Sequence, residues 1–402
     1  MGTRYRVLSL DGGGSWALIE AKALINIFGA ETSGWDVLRQ FDLAAANSGG
    51  SIVLGCLIEN FTLGQVLDFF LDESKRRSVF AATSSIGDRI LESLLKMGPK
   101  YSAEKKLTAL QGVLATKGNK SLGEAVKGLA GQRGTGDDLH VLIVGFDYDR
   151  CRAAFFRSKQ TSGPAYGTGF PADLTLAEAI HASSNAPVNY FDGPAIYPNN
   201  PDRYWDGGIT GNNNPVLVGV TEAVTATKEF TEIVALSLGT GTVALPWPQP
   251  GEEGSPYVRQ RSSLGLKSDL AKLAGSILDD PPDLASFLAH VMTGGGSGVA
   301  KGGVADSQIV RMSPLICPVR DSASNQWVPP GGLTPEQFHA ISALDMDALA
   351  QSDVEMIADY ADLWLKDQVP NMPVRMDGDN LTPEIGQATF SKARAAWDEI
   401  KG

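Results

Sequence analysis

Apolar runs of strand length alternate with helix-length amphipathic stretches over roughly the first 245 residues. Tyr5–Leu10 (YRVLSL) predicts a short buried strand, followed by a helix over about Ser15–Phe28 with Leu18, Ile19, Leu24 and Ile25 on its apolar face. Phe41–Gly55 (FDLAAANSGGSIVLG) begins apolar, passes through a small-residue turn and becomes apolar again, the pattern of a strand, a sharp turn and a buried helix. Asp138–Phe146 predicts a further strand, with Cys151–Arg157 as its hairpin partner across Asp147–Arg150. A short helix over Leu174–His181, a helix carrying Val216, Val218, Val220 and Val224, and a strand over Glu232–Leu238 complete the series. Strands alternating with helices predict an α/β fold: three layers, α/β/α, around a mainly parallel central sheet with helical insertions.

Two regions depart from this alternation. Residues 58–130 predict a mostly helical insertion, in which Leu63, Val66, Leu67 and Phe70 recur at helical spacing, as do Ile90, Leu91, Leu94 and Leu95. The charged run Glu73–Arg77 within it predicts a solvated helix face. After Pro246 comes a Pro/Gly-rich loop to Pro256 and then amphipathic helical stretches at Leu266–Leu278 and Leu284–Met292. A glycine run at Gly294–Gly303, a strand over Gln308–Ile316 and helical sequence over Leu333–Leu365 follow, with Leu344, Leu349, Ile357 and Leu363 as core candidates. No linker separates independent units. The expected organisation is a catalytic region 1–245 and a mostly helical extension 246–402 packed on the same domain.

Composition narrows the classes. The 402 residues are 43% hydrophobic and 20% charged, as in ordinary globular proteins. A net charge of −12 argues against a nucleic-acid polymer as partner and against permanent attachment to anionic membranes. Cys56, Cys151 and Cys317 are odd in number and far apart, so neither a disulfide framework nor a metal site is expected, and a reducing compartment fits. The start MGTRYRVLSLDGGG lacks the pattern of a signal peptide, and no apolar run approaches membrane-spanning length. The expected location is cytoplasmic, with room for peripheral membrane contact.

Candidate chemistry gathers at the turns. Ser48 stands where strand gives way to helix in Ala46-Asn47-Ser48-Gly49-Gly50. A serine at such a turn is pushed out above the sheet, small neighbours let the backbones approach, and the helix N-terminus favours negative charge there. Asp11-Gly12-Gly13-Gly14 joins the first strand to a helix N-terminus, making a nest of backbone N–H groups for an anion, either a bound phosphate or a transient oxyanion. It matches neither a P-loop nor G-x-G-x-x-G. Far downstream lies Asp206-Gly207-Gly208. A serine needs a base, and the four histidines, His140, His181, His290 and His339, sit at positions typical of structural histidines. A carboxylate can serve in a site dry enough to raise its pKa.

A glycine nest after the first strand, a serine elbow after the next and a later Asp-Gly-Gly resemble the patatin-like phospholipase family, which carries DGGG-x-R/K-G, G-x-S-x-G and D-G-G/A in that order. Ala182–Pro187 is similar to the family's A-S-x-A-x-P segment, and Leu236–Gly241 to its S-L-G-T-G strand end. The resemblance covers about residues 5–245. It implies a serine esterase of phospholipase A type: Ser48 as nucleophile, Asp206 as base, and the backbone of Gly12, Gly13 and Gly14 as oxyanion hole. It implies no cofactor and no metal; the partner would be a phospholipid or other acyl-ester lipid, met by transient membrane surface contact, and a homo-oligomer is compatible with it. Two departures stand out. Trp16 replaces the family's Arg or Lys, with Ala17 after it, and Ala46 replaces the first glycine of the elbow. Three alternatives follow: action on small soluble esters or thioesters, an anti-phage-type effector switched on by a cyclic nucleotide, and a catalytically weak binding protein.

Overall fold

The computed structural model describes residues 4–79, 102–130, 138–159, 174–187, 190–226, 232–261, 265–296, 307–346 and 348–402. The expectations for Ile90, Leu91, Leu94 and Leu95, and for the glycine run beyond Gly296, lie outside these residues.

An eight-stranded sheet runs through the molecule. Its strands are β1 (Tyr5–Leu10), β2 (Leu43–Ala46), β3 (His140–Asp147), β4 (Arg152–Arg157), β5 (Ala195–Tyr197), β6 (Asn200–Asp206), β7 (Ile233–Leu238) and, after the short β8 (Thr242–Val243), β9 (Ile309–Met312). The order is β5-β6-β3-β2-β1-β7-β9, with β4 on the other edge of β3. The five strands from β3 to β9 are mutually parallel, whereas β4, β5 and β6 join antiparallel. The fold is therefore α/β with a mainly parallel sheet flanked by helices, as the alternation predicts.

The period of two along each strand decides which layer a side chain enters. Leu8, Leu10, Ala44, Ala46, Val141, Ile143, Val234 and Leu236 face one core. There they meet α1 (Leu18–Phe28), the short α2 (Gly34–Leu38), α3 (Ser48–Ile58), α4 (Leu63–Leu71) and, among later helices, α8 (Leu176–Ser183). Val7, Leu43, Ala45, Leu142, Val144 and Ala235 face the other, covered by α9 (Val216–Ala226) and by Ala285 and Ala289 of α10 (Leu266–Met292). Both faces are buried, which is why the parallel strands read as continuous apolar runs.

The described part of the insertion is helical: α4, α5 (Glu73–Val79), α6 (Ala103–Val113) and α7 (Leu122–Ala125). Within its charged run, Glu73 and Arg77 pair on the surface, but Arg76 is buried, its guanidinium donating to the carbonyls of Phe70 and Leu71. The helix starts next to a terminus with unsatisfied carbonyls, and Arg76 supplies their donors. Beyond residue 246, the predicted strand divides: β9 extends the central sheet, while Leu315–Ile316 (β10) pairs with β8.

Two further expectations are corrected, and one strand enters that no apolar run predicts. The two helical stretches at 266–292 form one helix that continues through Pro281 and Pro282, although each proline removes a helix hydrogen bond. Leu333–Leu365 divides into α11 (Pro335–Ser342) and α12 (Gln351–Leu365), and the core of α12 is formed by Val354, Ile357, Tyr360, Ala361 and Trp364. The strand β6 ending at Asp206 has no apolar run to announce it: Asn200, Tyr204 and Asp206 are buried while Pro201 and Arg203 are exposed, the signature of an antiparallel strand with one wet face.

Candidate active site

Strand β3 assembles the site. Its residues 142–147 pair with β4 on one edge, so β2 and β6 must share the other. Ala46, the last residue of β2, lies opposite Ile143; Asp206, the last residue of β6, lies opposite Gly145, two residues further on. The two strands thus point their ends at each other along one edge of β3. Ser48 and Asp206 meet in that gap.

The turn at Ser48 is tight. Asn47 is extended, and Ser48 has φ 45°, a left-handed conformation that a residue with a Cβ adopts only under constraint. Gly49 and Gly50 make it feasible: a Cβ on Gly50 would lie 2.5 Å from the Asp11 carbonyl oxygen and 2.6 Å from that of Leu10. The Gly50 N–H donates to the Asp11 carbonyl at 2.9 Å, locking the start of α3 to the glycine run.

In the resulting geometry, Ser48 Oγ donates to Asp206 Oδ2 at 2.6 Å, across 158 residues of sequence. Ser48 is 9% and Asp206 7% exposed. Asp206 Oδ1 accepts from the Gly208 N–H at 2.8 Å and from Asn47 Nδ2 at 3.4 Å. Burial raises the Asp206 carboxyl above its ordinary value; the hydrogen bonds from Ser48 and Gly208, the charge of Lys106 and the Asn47 amide pull it back. A carboxylate so placed can take a proton from the serine, and the N-terminus of α3 points its positive end at the same oxygen.

The glycine run forms the opposite wall. Gly14 has φ 56° and opens a turn of 3-10 helix ahead of α1. Among the three glycines, the Gly12 N–H is engaged by the Asn213 carbonyl at 2.9 Å. Among the described residues, no acceptor is found for the N–H groups of Gly13 and Gly14. The loop is held from below. Thr240 Oγ1 donates to the Gly12 carbonyl at 2.7 Å, and Arg311 Nη2 meets Asp11 Oδ2 at 2.5 Å in a buried pair. Burial still raises Asp11 to about 6, against the opposing pull of Arg311.

No histidine enters this arrangement. His181 is enclosed, its Nδ1 3.1 Å from the Tyr197 hydroxyl, and burial and Lys106 push it down to about 3. Burial also pushes His140 down to about 3. His290 contacts Ser307 at 2.8 Å, and His339 is exposed.

Further side-chain and main-chain groups seat the pair. Ser183 Oγ accepts the Ser48 N–H at 2.9 Å, the Asn185 carbonyl accepts the Asp206 N–H at 3.0 Å, and Asn213 reaches both Asn47 and the Gly12 carbonyl. The first two lie in the segment matched by A-S-x-A-x-P, so that segment was the available signal. Lys106, beneath it, had none. Trp16, at the position of the family cation, is nearly enclosed and donates from Nε1 to the Asp345 carbonyl at 3.0 Å.

Among solved structures, VipD from Legionella pneumophila is similar with a TM-score of 0.34 and 10% identity, covering 100% of this chain and 74% of that one. The type III effector protein ExoU gives a TM-score of 0.27 and 12% identity, over 89% of this chain and 53% of that one. No curated protein matches the chain by sequence. The model of the patatin-like phospholipase family matches residues 8–220, a span that contains the glycine run, the serine elbow and Asp206-Gly207-Gly208. The chain belongs to the patatin-like phospholipase family.

Proposed function

We propose that this protein is a lipid acyl hydrolase of phospholipase A type that works through Ser48 and Asp206, with residues 1–245 as the catalytic region. The observation that carries the reading is the 2.6 Å hydrogen bond from Ser48 Oγ to Asp206 Oδ2 in an enclosed site. In the first half-reaction, Ser48 Oγ attacks the ester carbonyl carbon while its proton passes to Asp206 Oδ2. The oxyanion is received by the N–H groups of Gly13 and Gly14, and Gly12, whose N–H is engaged, shapes the loop. The carbon–oxygen bond to the lysolipid or alcohol then breaks as Asp206 returns the proton to the leaving oxygen. Water attacks the acyl-Ser48 ester with Asp206 accepting its proton, and that proton restores the serine.

Contact with lipid is assigned to α10. Six of the ten exposed large apolar side chains among the described residues lie on it: Leu273, Ile277, Leu284, Leu288, Val291 and Met292. At 3.6 residues per turn the first five fall within about 60° of arc. The inner side of the helix reaches the site, since Leu278 Cδ2 would lie 3.4 Å from a Cβ on Gly208. Among the described residues no helix is long and apolar enough to cross a membrane, so the contact is proposed as interfacial.

The test is labelling with a fluorophosphonate probe. Modification should map to Ser48 and be lost in Ser48→Ala and Asp206→Asn, and hydrolysis of phosphatidylcholine vesicles should be lost with it. A folded, monodisperse wild type that neither labels nor hydrolyses would sink the reading.

A further inference from the structure

Lys106, on α6, is 0% exposed, and among the described residues no carboxylate stands within ion-pair distance of it. Its Nζ donates to the Ser184 carbonyl and rests over the Phe191 ring, 4.3 Å from the centroid. An enclosed ammonium held by one carbonyl and one aromatic face is an expensive way to fill a core position that methionine would fill without charge. Packing alone does not account for it.

What lies beside the ammonium does. Ser184 sits between Ser183, whose Oγ accepts the Ser48 N–H at 2.9 Å, and Asn185, whose carbonyl accepts the Asp206 N–H at 3.0 Å. Three consecutive residues therefore touch the serine, the ammonium and the aspartate in turn. The segment is the C-terminal end of α8, where carbonyls lack helical partners and a cation is favoured.

We propose that Lys106 is a positioning residue of the hydrolase site: its ammonium fixes the Ser183–Asn185 segment that seats Ser48 and Asp206, and sets a positive charge behind the Asp206 carboxylate. The inference rests on the Ser48–Asp206 reading and deepens it. The lysine comes from the helical insertion, so that insertion completes the site. Among the described residues, the charged and titratable groups that face the ammonium from the elements around α6 are few. They are Asp206 at the end of β6; His181 on α8, held neutral; Arg76 on α5, tied to backbone carbonyls; and Asp192, which accepts the Ala103 N–H at 2.9 Å. Glu104 and Lys105, on the same helix, are exposed. Burial pushes Lys106 down to about 7, and Asp206 opposes that push, which agrees with the two charges sensing each other.

The experiment measures the second-order rate of fluorophosphonate labelling at Ser48 from pH 5 to 9, alongside thermal melts. Lys106→Met is expected to melt cooperatively, label about 10- to 100-fold more slowly, and shift the acidic limb to higher pH, because Asp206 loses a charge favouring its ionised form. Lys106→Arg is expected to keep the wild-type limb. A folded Lys106→Met with the wild-type rate and limb overturns the proposal. Should that variant not fold, Phe191→Leu decides: it keeps the lysine but strips the face beneath it, and is expected to slow labelling several-fold, whereas an unchanged rate and limb overturns the proposal. A wild type that does not label overturns the dyad reading itself, an outcome distinct from either.

Discussion

Ser48 and Asp206 come within 2.6 Å because strand β3 carries the ends of two other strands on one edge, Ala46 opposite Ile143 and Asp206 opposite Gly145. The distance is therefore set by β-sheet register, a rigid element, and only the rotamer of each side chain remains to be fixed. Sites held on strands and helix ends keep their geometry better than sites held on loops.

This arrangement makes a prediction about pH. In the proposed reaction Asp206 is the base and must be ionised, and burial, the largest effect on it, raises its carboxyl. Activity is present above its pKa and lost as pH falls through it, so the acidic limb of kcat/KM should lie above the ordinary carboxylate value of about 4. Asp206→Asn should lower kcat by about 10²- to 10⁴-fold, with a thermal midpoint close to wild type. A limb that stays in the same place in Asp206→Asn would assign it to another group.

Glu20 gives a stability prediction. It is fully enclosed, one oxygen accepting the Asp11 N–H at 2.6 Å and the other without a partner among the described residues. Burial first, and then the neighbouring Asp11, hold its carboxyl well above the usual range. The folded chain thus keeps a proton that the unfolded chain releases. The stabilisation this gives is complete below the unfolded pKa and declines as pH rises towards the folded one. Glu20→Gln keeps the acceptor but cannot titrate. Its urea midpoint should exceed that of wild type at pH 8, and the difference should shrink towards pH 5.

The elbow predicts a contrast between two glycines. A Cβ on Gly50 meets two backbone carbonyls, neither of which can rotate away. Gly50→Ala should destabilise by about 2–3 kcal/mol and abolish labelling of Ser48 even where the chain remains folded. Gly112, in α6, has nothing within 4 Å of its Cβ position. Gly112→Ala should be neutral or stabilising by up to about 1 kcal/mol. Paired melts and labelling of the two variants check this.

Much of this was legible because both faces of the parallel sheet are buried: Tyr5–Leu10, the Val141 region and Ile233–Leu238 announce themselves as apolar runs. The serine elbow and the glycine nest are local in sequence, so residue size alone reveals them. The hairpin β5–β6 was hidden because its outer face is wet and its residues are polar. The continuous α10 was hidden because prolines ordinarily stop helices. The contacts of Asn213 and Lys106 depend on chain crossings that no local pattern encodes. Trp16 shows the same limit: sequence marks it as the place of a lost cation, and only the fold shows its indole bound to the Asp345 carbonyl.

The outer face of α10 carries the last prediction. Its apolar row has no cover among the described residues, while its inner side approaches Gly208 and Gly211. A face that serves lipid should matter only when the substrate is aggregated, because a monomeric ester reaches Ser48 without a surface. Replacing Ile277, Leu284 and Leu288 together by serine removes exposed apolar area and should leave folding intact, since none of the three is core. Hydrolysis of a soluble short-chain ester should stay within about twofold of wild type, whereas sedimentation with phosphatidylcholine vesicles and hydrolysis of their lipid should fall about tenfold or more. Equal loss on both substrates would mean that the helix supports the site and does not meet the membrane. A wild-type dimer that becomes monomeric in the triple variant, with vesicle activity unchanged, would assign the face to a second copy of this chain instead.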